Sequence, residues 1–438
     1  MKNIIVFIHR FNDIDHLSPV IFYLSNSNKN IKISIISLWP LKGYERDERV
    51  KFLVKQKNVK FFNFSSIHEN TFYAKFLEFI LGKGTLTGLI SLDIKSLFKL
   101  NEIKKFVPRF ISNLIAYFLF KLNLYHHIIN KNYTINWSKF FFEKFKPSLL
   151  ITDHAISTGP QRELEPIKSI LKKGRENNIK IISFPHGVPL FINHPDRYNN
   201  VKLNLSSDIS DSLILQHQNW LRECRAFGLK DDKVKIFGLL RFFREWEEIL
   251  HSIITDDLSL KEMGKNKIKV VFMDTGPNNY GNQINEVKKT LEYLIKNKNI
   301  FLVYKPHTRN NQINLSLNKN IYYAKKNNSI NLIRWSDIII GSSSSIMIEC
   351  LFQEKLYISP SYFRKNRMIF EDFKACYEIN SLNSFKDFFR DINEKTLNPY
   401  DYYSRENVEK FYLDIIYNKK NKDILLQEMI DHILKLSN

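Results

Sequence analysis

Phe301-Leu-Val-Tyr-Lys-Pro-His307 reads as an apolar strand ending in a polar, rigid tip. The ring of Pro306 fixes its own backbone angle, so Lys305 and His307 leave the strand in set directions. A lysine brings a point charge and a histidine a directed N–H, a pair suited to a phosphate. Further on, Asp337-Ile-Ile-Ile-Gly-Ser-Ser-Ser-Ser345 runs from a second apolar strand into a helical pattern. Gly341 permits a tight turn there. Ser342, Ser343, Ser344 and Ser345 then fall at the start of the helix, where unpaired N–H groups and the dipole favour an anion. Their hydroxyls add donors, and four serines exceed what one N-cap needs. Glu349, one turn into this helix, is placed to accept from a ribose hydroxyl, with a structural ion pair as the alternative.

The first half of the chain repeats the theme with other side chains. Ile182-Ser-Phe-Pro-His-Gly187 is a strand ending in a His-Gly turn, and Asp153-His154 closes the run Leu149–Thr152. His9-Arg10 closes the first strand, with Asp13, Asp15 and His16 close behind. Strand ends that converge on one rim can deliver a general base, for which Asp153 and His186 are the candidates. His9, Arg10, Asp13 and His154 would then meet an acceptor. Asp274-Thr-Gly-Pro-Asn-Asn-Tyr-Gly281 follows the first strand of the second half. Thr275 and Gly276 in it can offer backbone N–H groups to a donor. The loop lacks the GxGxxG spacing, and a Walker A pattern is absent, which disfavours ATP hydrolysis and ordinary dinucleotide binding.

These tips need a scaffold that brings strand ends together. Short apolar runs alternating with helical patterns predict parallel α/β sheets. The runs are Ile4–Ile8, Ile31–Leu38, Val59–Phe64, Leu149–Thr152, Ile179–Phe184, Ser212–Leu215 and Val234–Gly238, then Ile268–Met273, Ile300–Tyr304, Ile321–Ala324, Asp337–Ile340 and Leu356–Ser359. The pattern predicts two Rossmann-like domains facing a cleft, over 1–238 and 239–404, followed by C-terminal helices over 405–438. Helices are expected at Arg241–Lys261, Asn285–Lys296, Ser329–Trp335, Ser345–Gln353 and Arg405–Leu436. Residues 71–145 break the alternation and predict a helical insertion. Its basic, aromatic stretch Phe110–Phe120 suits an anionic membrane interface.

The chain has 438 residues with 66 Lys and Arg against 45 Asp and Glu, a net charge of +21. Such an excess points to an anionic partner: nucleic acid, acidic lipid or a phosphorylated substrate. Basic residues are spread along the chain and no nucleic-acid-binding motif appears, so a non-enzymatic nucleic-acid binder is the weaker reading. Cys224, Cys350 and Cys376 are far apart, which argues against a disulfide framework and against a zinc site. The N-terminal run is a strand rather than a signal peptide, and no stretch reaches the length of a spanning helix. A cytoplasmic protein, peripheral on the inner face of the plasma membrane, is expected.

Lys-Pro-His at one strand end and a serine-rich turn at another resemble the donor sites of bacterial GT-B transferases. The patterns are similar to those of sialyltransferase-like and Kdo-transferase-like enzymes with CMP-sugar donors, and of CDP-glycerol (teichoic acid) transferases. In this sequence Thr308 follows His307 where those families carry proline. The resemblance implies that His307 and Ser342–Ser345 hold a donor phosphate, and that the His186-Gly187 turn takes part in catalysis. It implies a metal-independent glycosyltransferase that transfers a CMP-linked sugar to a glycan or lipid-linked glycan acceptor in surface polysaccharide or lipopolysaccharide biosynthesis. A CDP-glycerol-type polyol-phosphate transferase is one alternative. A nucleotide-sugar 2-epimerase is another: it shares the architecture, needs carboxylates near the sugar and needs no acceptor. No cofactor is expected beyond the nucleotide-linked substrate.

Overall fold

In the computed structural model, residues 1–27, 30–37, 43–63, 133–153, 165–185, 187–188, 190, 210–221, 231–307, 312–313, 321–392 and 397–438 are described. The Ile- and Val-rich runs form strands because both faces of each are covered, leaving side chains such as Ile4, Ile5, Ile151 and Ile182 fully buried. In the first half these are β1 (Lys2–Ile8), β2 (Ile31–Ser37), β3 (Val59–Asn63), β4 (Leu149–Asp153), β5 (Lys180–Phe184), β6 (Ser212–Leu215) and β7 (Val234–Ile236). They pair in parallel in the order β3-β2-β1-β4-β5-β6-β7, with Ile4 opposite Ile33 on one side and Leu149 on the other.

The second half builds β8 (Ile268–Met273), β9 (Ile300–Lys305), β10 (Ile321–Tyr323), β11 (Ile338–Gly341), β12 (Leu356–Pro360) and β13 (Tyr377–Ile379). Their order is β10-β9-β8-β11-β12-β13, again parallel throughout. In each sheet the winding reverses beside the first strand, between β1 and β4 and between β8 and β11. Ligands of open α/β sheets settle beyond the carboxyl ends of strands at such a switch point. The bilobal architecture with two Rossmann-like domains is therefore as expected from the sequence.

The helices that shape the site are α1 (Phe11–Ser25), α2 (Glu48–Leu53), α3 (Tyr133–Phe145), α4 (Arg244–Ile253), α5 (Ile284–Lys296), α6 (Ser329–Trp335), α7 (Met347–Phe352), α8 (Arg405–Phe411) and α9 (Lys422–Leu436). In α1, Ile14, Leu17, Ile21 and Leu24 recur at helical spacing and are buried. Most of the 71–145 segment, with Phe110–Phe120, lies outside the described residues. Its end is α3, whose Phe141 packs on Phe7 of β1 with ring centroids 5.8 Å apart. No helix among the described residues is long and apolar enough to cross a membrane.

Three boundaries differ from expectation. The helix expected over Arg241–Lys261 is confined to α4, because Leu240–Phe242 and Leu258–Leu260 are single 3₁₀ turns, the latter capped by Asp257. The tail is not one helix: α8 passes into a π turn at Tyr412–Ile416, and Asn418 and Lys419 take positive φ before Asn421 caps α9. Strand β13 has three residues, too few for alternation to show in the sequence.

The chain passes from the first sheet to the second at Gly238, where φ is +76°. There the Leu239 N–H donates to the Ile416 carbonyl at 2.9 Å. The tail then returns to the first domain. His217 Nε2 bonds the Asp414 carbonyl at 2.8 Å, and Lys2 Nζ donates to the Leu434 carbonyl at 3.0 Å. A Cβ at position 238 would lie 2.5 Å from the Ile416 carbonyl oxygen, whereas one at Gly43, also at positive φ, would meet nothing closer than 3.7 Å. Gly238→Ala should therefore cost about 2 kcal/mol or more in urea unfolding, from strain alone about 1–3. Gly43→Ala should cost less. Equal midpoints for the two variants would contradict this seam.

Candidate active site

A cleft of about 1080 Å³ opens between the two sheets, lined from the first domain by Phe11, Asp15, residues 46–49 and Gly187-Val188. The second domain contributes Arg241, Glu247, Asp274, the 255–259 and 326–331 segments, Lys305-Pro306-His307, Ser343–Ser345 and Glu349.

The tip of β9 enters this space as its sequence dictates. Lys305 Nζ donates to the Asn327 carbonyl at 2.6 Å, and burial lowers its pKa to about 8. The loop after β8 is held by Asp274, whose carboxylate accepts from the Gly276 N–H at 2.9 Å, from the Tyr280 hydroxyl at 2.9 Å and from the Tyr304 hydroxyl. Asp274 thus gives the loop its shape. The neighbouring Thr275 hydroxyl is buried without a hydrogen-bond partner among the described residues.

The serine turn after β11 is left-handed at Ser343, with φ +58°. Gly341 lies beneath it, where a Cβ would sit 2.6 Å from the Met347 methyl carbon and push that flexible side chain aside. Behind the turn lies a buried ion pair between Arg364 and Glu371. Arg364 also donates to Ser342 Oγ at 3.4 Å, Ser359 Oγ at 3.0 Å and the Pro360 carbonyl at 3.0 Å. A fixed guanidinium so placed adds positive potential behind the serines.

On the α7 side, Glu349 is 2% exposed, and its Oε1 accepts from Gln353 Nε2 at 2.9 Å and pairs with His251 Nε2. Glu247 of α4 stands beside it, fully buried. Burial first, and the Glu349 charge second, push its carboxyl well above the usual range.

The opposite wall is built by α1 and α2. Arg49 donates to Asp47 at 2.9 and 2.7 Å and pairs with Asp15. Arg241, from beyond Gly238, stands 3.3 Å from the other Asp15 oxygen. Burial alone would raise the pKa of Asp15, but Arg241 and Arg49 outweigh it and hold the carboxyl below its ordinary value. Phe11 is half exposed, with the Arg49 guanidinium 4.6 Å over its ring.

Of the residues expected from sequence, Lys305, His307, Ser343, Ser344, Ser345 and Glu349 come together in this cleft. Gly341 and Ser342 form the base of the same turn, and Thr275 and Gly276 continue from the cleft residue Asp274. Asp13 accepts from the N–H groups of His9 at 2.7 Å and Arg10 at 2.8 Å, and so caps α1. His9 is buried, as is Asp153 at the end of β4, and neither lines the cleft. His154 and His186 lie outside the described residues. Asp15, noted in the sequence behind His9-Arg10, does line the cleft, whereas Arg49, Arg241, Glu247, His251 and Arg364 escaped the sequence reading. For Glu247 and His251 a signal existed: two polar groups one turn apart on a helix share a face. No group of three or more His, Cys, Asp or Glu able to hold a metal occurs among the described residues.

No family model and no curated protein matches this chain. Solved structures do. The chain is similar to a Staphylococcus aureus MnaA–UDP structure at 12% identity and TM-score 0.56, over 100% of this chain and 98% of that one. It is similar to the UDP-GlcNAc 2-epimerase of Neisseria meningitidis bound to UDP-GlcNAc, at 12% and 0.53, over 99% and 100%. A Listeria monocytogenes protein described as a UDP-N-acetylglucosamine 2-epimerase follows at 10% and 0.51, over 96% and 98%. At such identity the likeness is one of fold.

These similarities correct the expected family and reaction. The chain's structural likeness runs to UDP-GlcNAc 2-epimerases, not to sialyltransferase-like, Kdo-transferase-like or CDP-glycerol transferases, and the glycosyltransferase expectation falls with them. The physical reason is that a cationic strand tip and a serine turn address phosphates. Such a signal carries neither the base of the nucleotide nor the reaction.

If Lys305 serves an anion, its ammonium form is required. Pyrophosphate affinity, measured by calorimetry, should therefore weaken as pH rises through about 8. Lys305→Met should bind about tenfold or more weakly, as expected for a lost charged hydrogen bond. Its affinity should be flatter over the same range. A wild-type affinity that is constant through this range would remove Lys305 from the site.

Proposed function

We propose that the protein processes a nucleotide sugar, with UDP-GlcNAc as the model substrate, by inverting the sugar at C2. The observation that carries this reading is the cleft itself. Lys305, His307 and the serine turn face carboxylates on the other wall and floor within one cavity of about 1080 Å³. The volume lies at the upper end of small-ligand sites, as a nucleotide sugar requires. The fold shared with the Neisseria enzyme supports it.

The chemistry follows from where charge must go. The C2 hydrogen of such a sugar has no adjacent carbonyl to acidify it. Its removal must accompany loss of the nucleotide from C1, and inversion needs the nucleotide to return after reprotonation on the other face. The negative charge then grows on the diphosphate. Lys305, His307, Ser343, Ser344 and Ser345 are the groups assigned to stabilise it, backed by Arg364. Glu349 is assigned to the ribose hydroxyls. Thr275 and Gly276 border the donor side. Asp15, kept ionised by two arginines, is a poor base and a good acceptor for a sugar hydroxyl. The base is assigned to the first domain: His186, next in sequence to the cleft residue Gly187, is the stronger candidate, and Asp153, buried at the end of β4 and off the cleft lining, the weaker. No acceptor molecule is needed.

Incubation with UDP-GlcNAc alone in deuterated buffer tests this. Proton NMR should show the C2 epimer and deuterium at C2 in both isomers. Asp153→Asn and His186→Ala separate the candidates, because the true base should lose turnover about a hundredfold or more while keeping UDP affinity. His307→Ala and the double change Ser343→Ala, Ser344→Ala should each lose roughly ten- to a hundredfold in affinity or rate. Recovery of UDP-GlcNAc with its C2 hydrogen intact, from protein that binds UDP, would refute epimerisation.

A further inference from the structure

Two helices from distant parts of the chain present matched faces to the floor of the cleft. Helix α4 offers Glu247 and, one turn on, His251; helix α7 offers Glu349, with its C-cap Gln353 one turn on. Glu247 is 0% exposed and lines the cleft, yet neither of its oxygens has a hydrogen-bond donor among the described residues. It lies within hydrogen-bonding reach of Glu349. Two ionised carboxylates at that separation, out of water, repel strongly.

The donors around Glu349 decide which carboxyl keeps its charge. Arg334 Nη2 stands 3.3 Å from His251 Nδ1 and can only donate, so Nδ1 accepts. The His251 proton therefore sits on Nε2, which donates to Glu349. Gln353 Nε2 donates to the same carboxylate at 2.9 Å. Glu349 thus has donors suited to an anion, and Glu247 has none. Arg241, Arg244 and the buried Tyr412 hydroxyl complete the surroundings of Glu247 without a hydrogen bond to it.

We infer that Glu247 is a positioning residue: it carries a proton in the folded protein and donates it to Glu349, so that Glu247, His251 and Gln353 together hold the Glu349 carboxylate toward the cleft. The arrangement leaves Glu349 ionised and aimed while the cleft floor carries one negative charge instead of two. A ligand presenting hydroxyl groups meets an acceptor whose direction is already set. The proton on Glu247 stands on this geometry alone. What Glu349 meets in the cleft rests on the nucleotide-sugar reading.

The full-length protein and two variants test the two parts separately. Glu247→Gln keeps a donor of similar shape; Glu247→Leu removes it. The infrared difference between wild type and Glu247→Gln at neutral pH should contain the carbonyl stretch of a protonated carboxyl, sensitive to deuterium. UDP affinity by calorimetry should drop about tenfold or more in Glu247→Leu, the size of a lost hydrogen bond to a charged group. In Glu247→Gln it should recover to within about threefold of wild type. A merely structural role would not produce the infrared band. No carboxylic acid band, or wild-type UDP affinity in Glu247→Leu, overturns the inference. Failure of the wild type to bind UDP would instead sink the functional reading, and the infrared band alone, present or absent, would then decide the proton on Glu247.

Discussion

In a parallel sheet every strand ends at the same edge, and this constraint organises the whole molecule. Each of the two sheets must collect its strand tips on one rim, and the chain sets the two rims face to face across a cleft. The polar tips after β8, β9 and β11 share that cleft because β8 lies between β9 and β11. The seam at Gly238 makes the arrangement possible. A residue without Cβ lets the tail's Ile416 carbonyl close on the crossover, and the tail then binds both domains.

Charge in the cleft is arranged by pairing rather than by excess. The net charge of +21 suggests a strongly cationic surface, but the cleft walls interleave arginines with carboxylates. Buried pairs of this kind contribute little net stability, since desolvation offsets most of their attraction. Their effect is directional. Arg49 and Arg241 keep Asp15 ionised, and Arg364 sits beneath the serines without reaching the cleft. Lys305 is the counter-example: no carboxylate among the described residues offsets its burial, so its charge is easily lost and easily restored by an incoming anion.

Much of this was legible in the sequence, for local reasons. A buried parallel strand is a short apolar run, and twelve such runs became strands. The Lys-Pro-His tip and the serine turn are contiguous, so their chemistry shows without a structure. What escaped depends on pairings between distant segments. Arg364 and Glu247 look like ordinary surface charges until α4, α7 and the chain after β12 are packed together. Asp13 looked like part of a rim and turned out to cap its own helix, because an aspartate three residues after the N-cap Arg10 reaches back to the N–H groups of His9 and Arg10. The reaction was not legible at all. Phosphate-binding tips suit more than one class of nucleotide-sugar enzyme, and the family first suggested by them did not survive comparison of the folds.

The central claim is that strand tips from the second sheet form a diphosphate site inside the interdomain cleft. A crystal structure of the protein with UDP tests it most directly. The account predicts the diphosphate between Lys305-His307 and the turn Ser343–Ser345, with the ribose at Glu349. UDP seated elsewhere, with no contact to either tip, would contradict it.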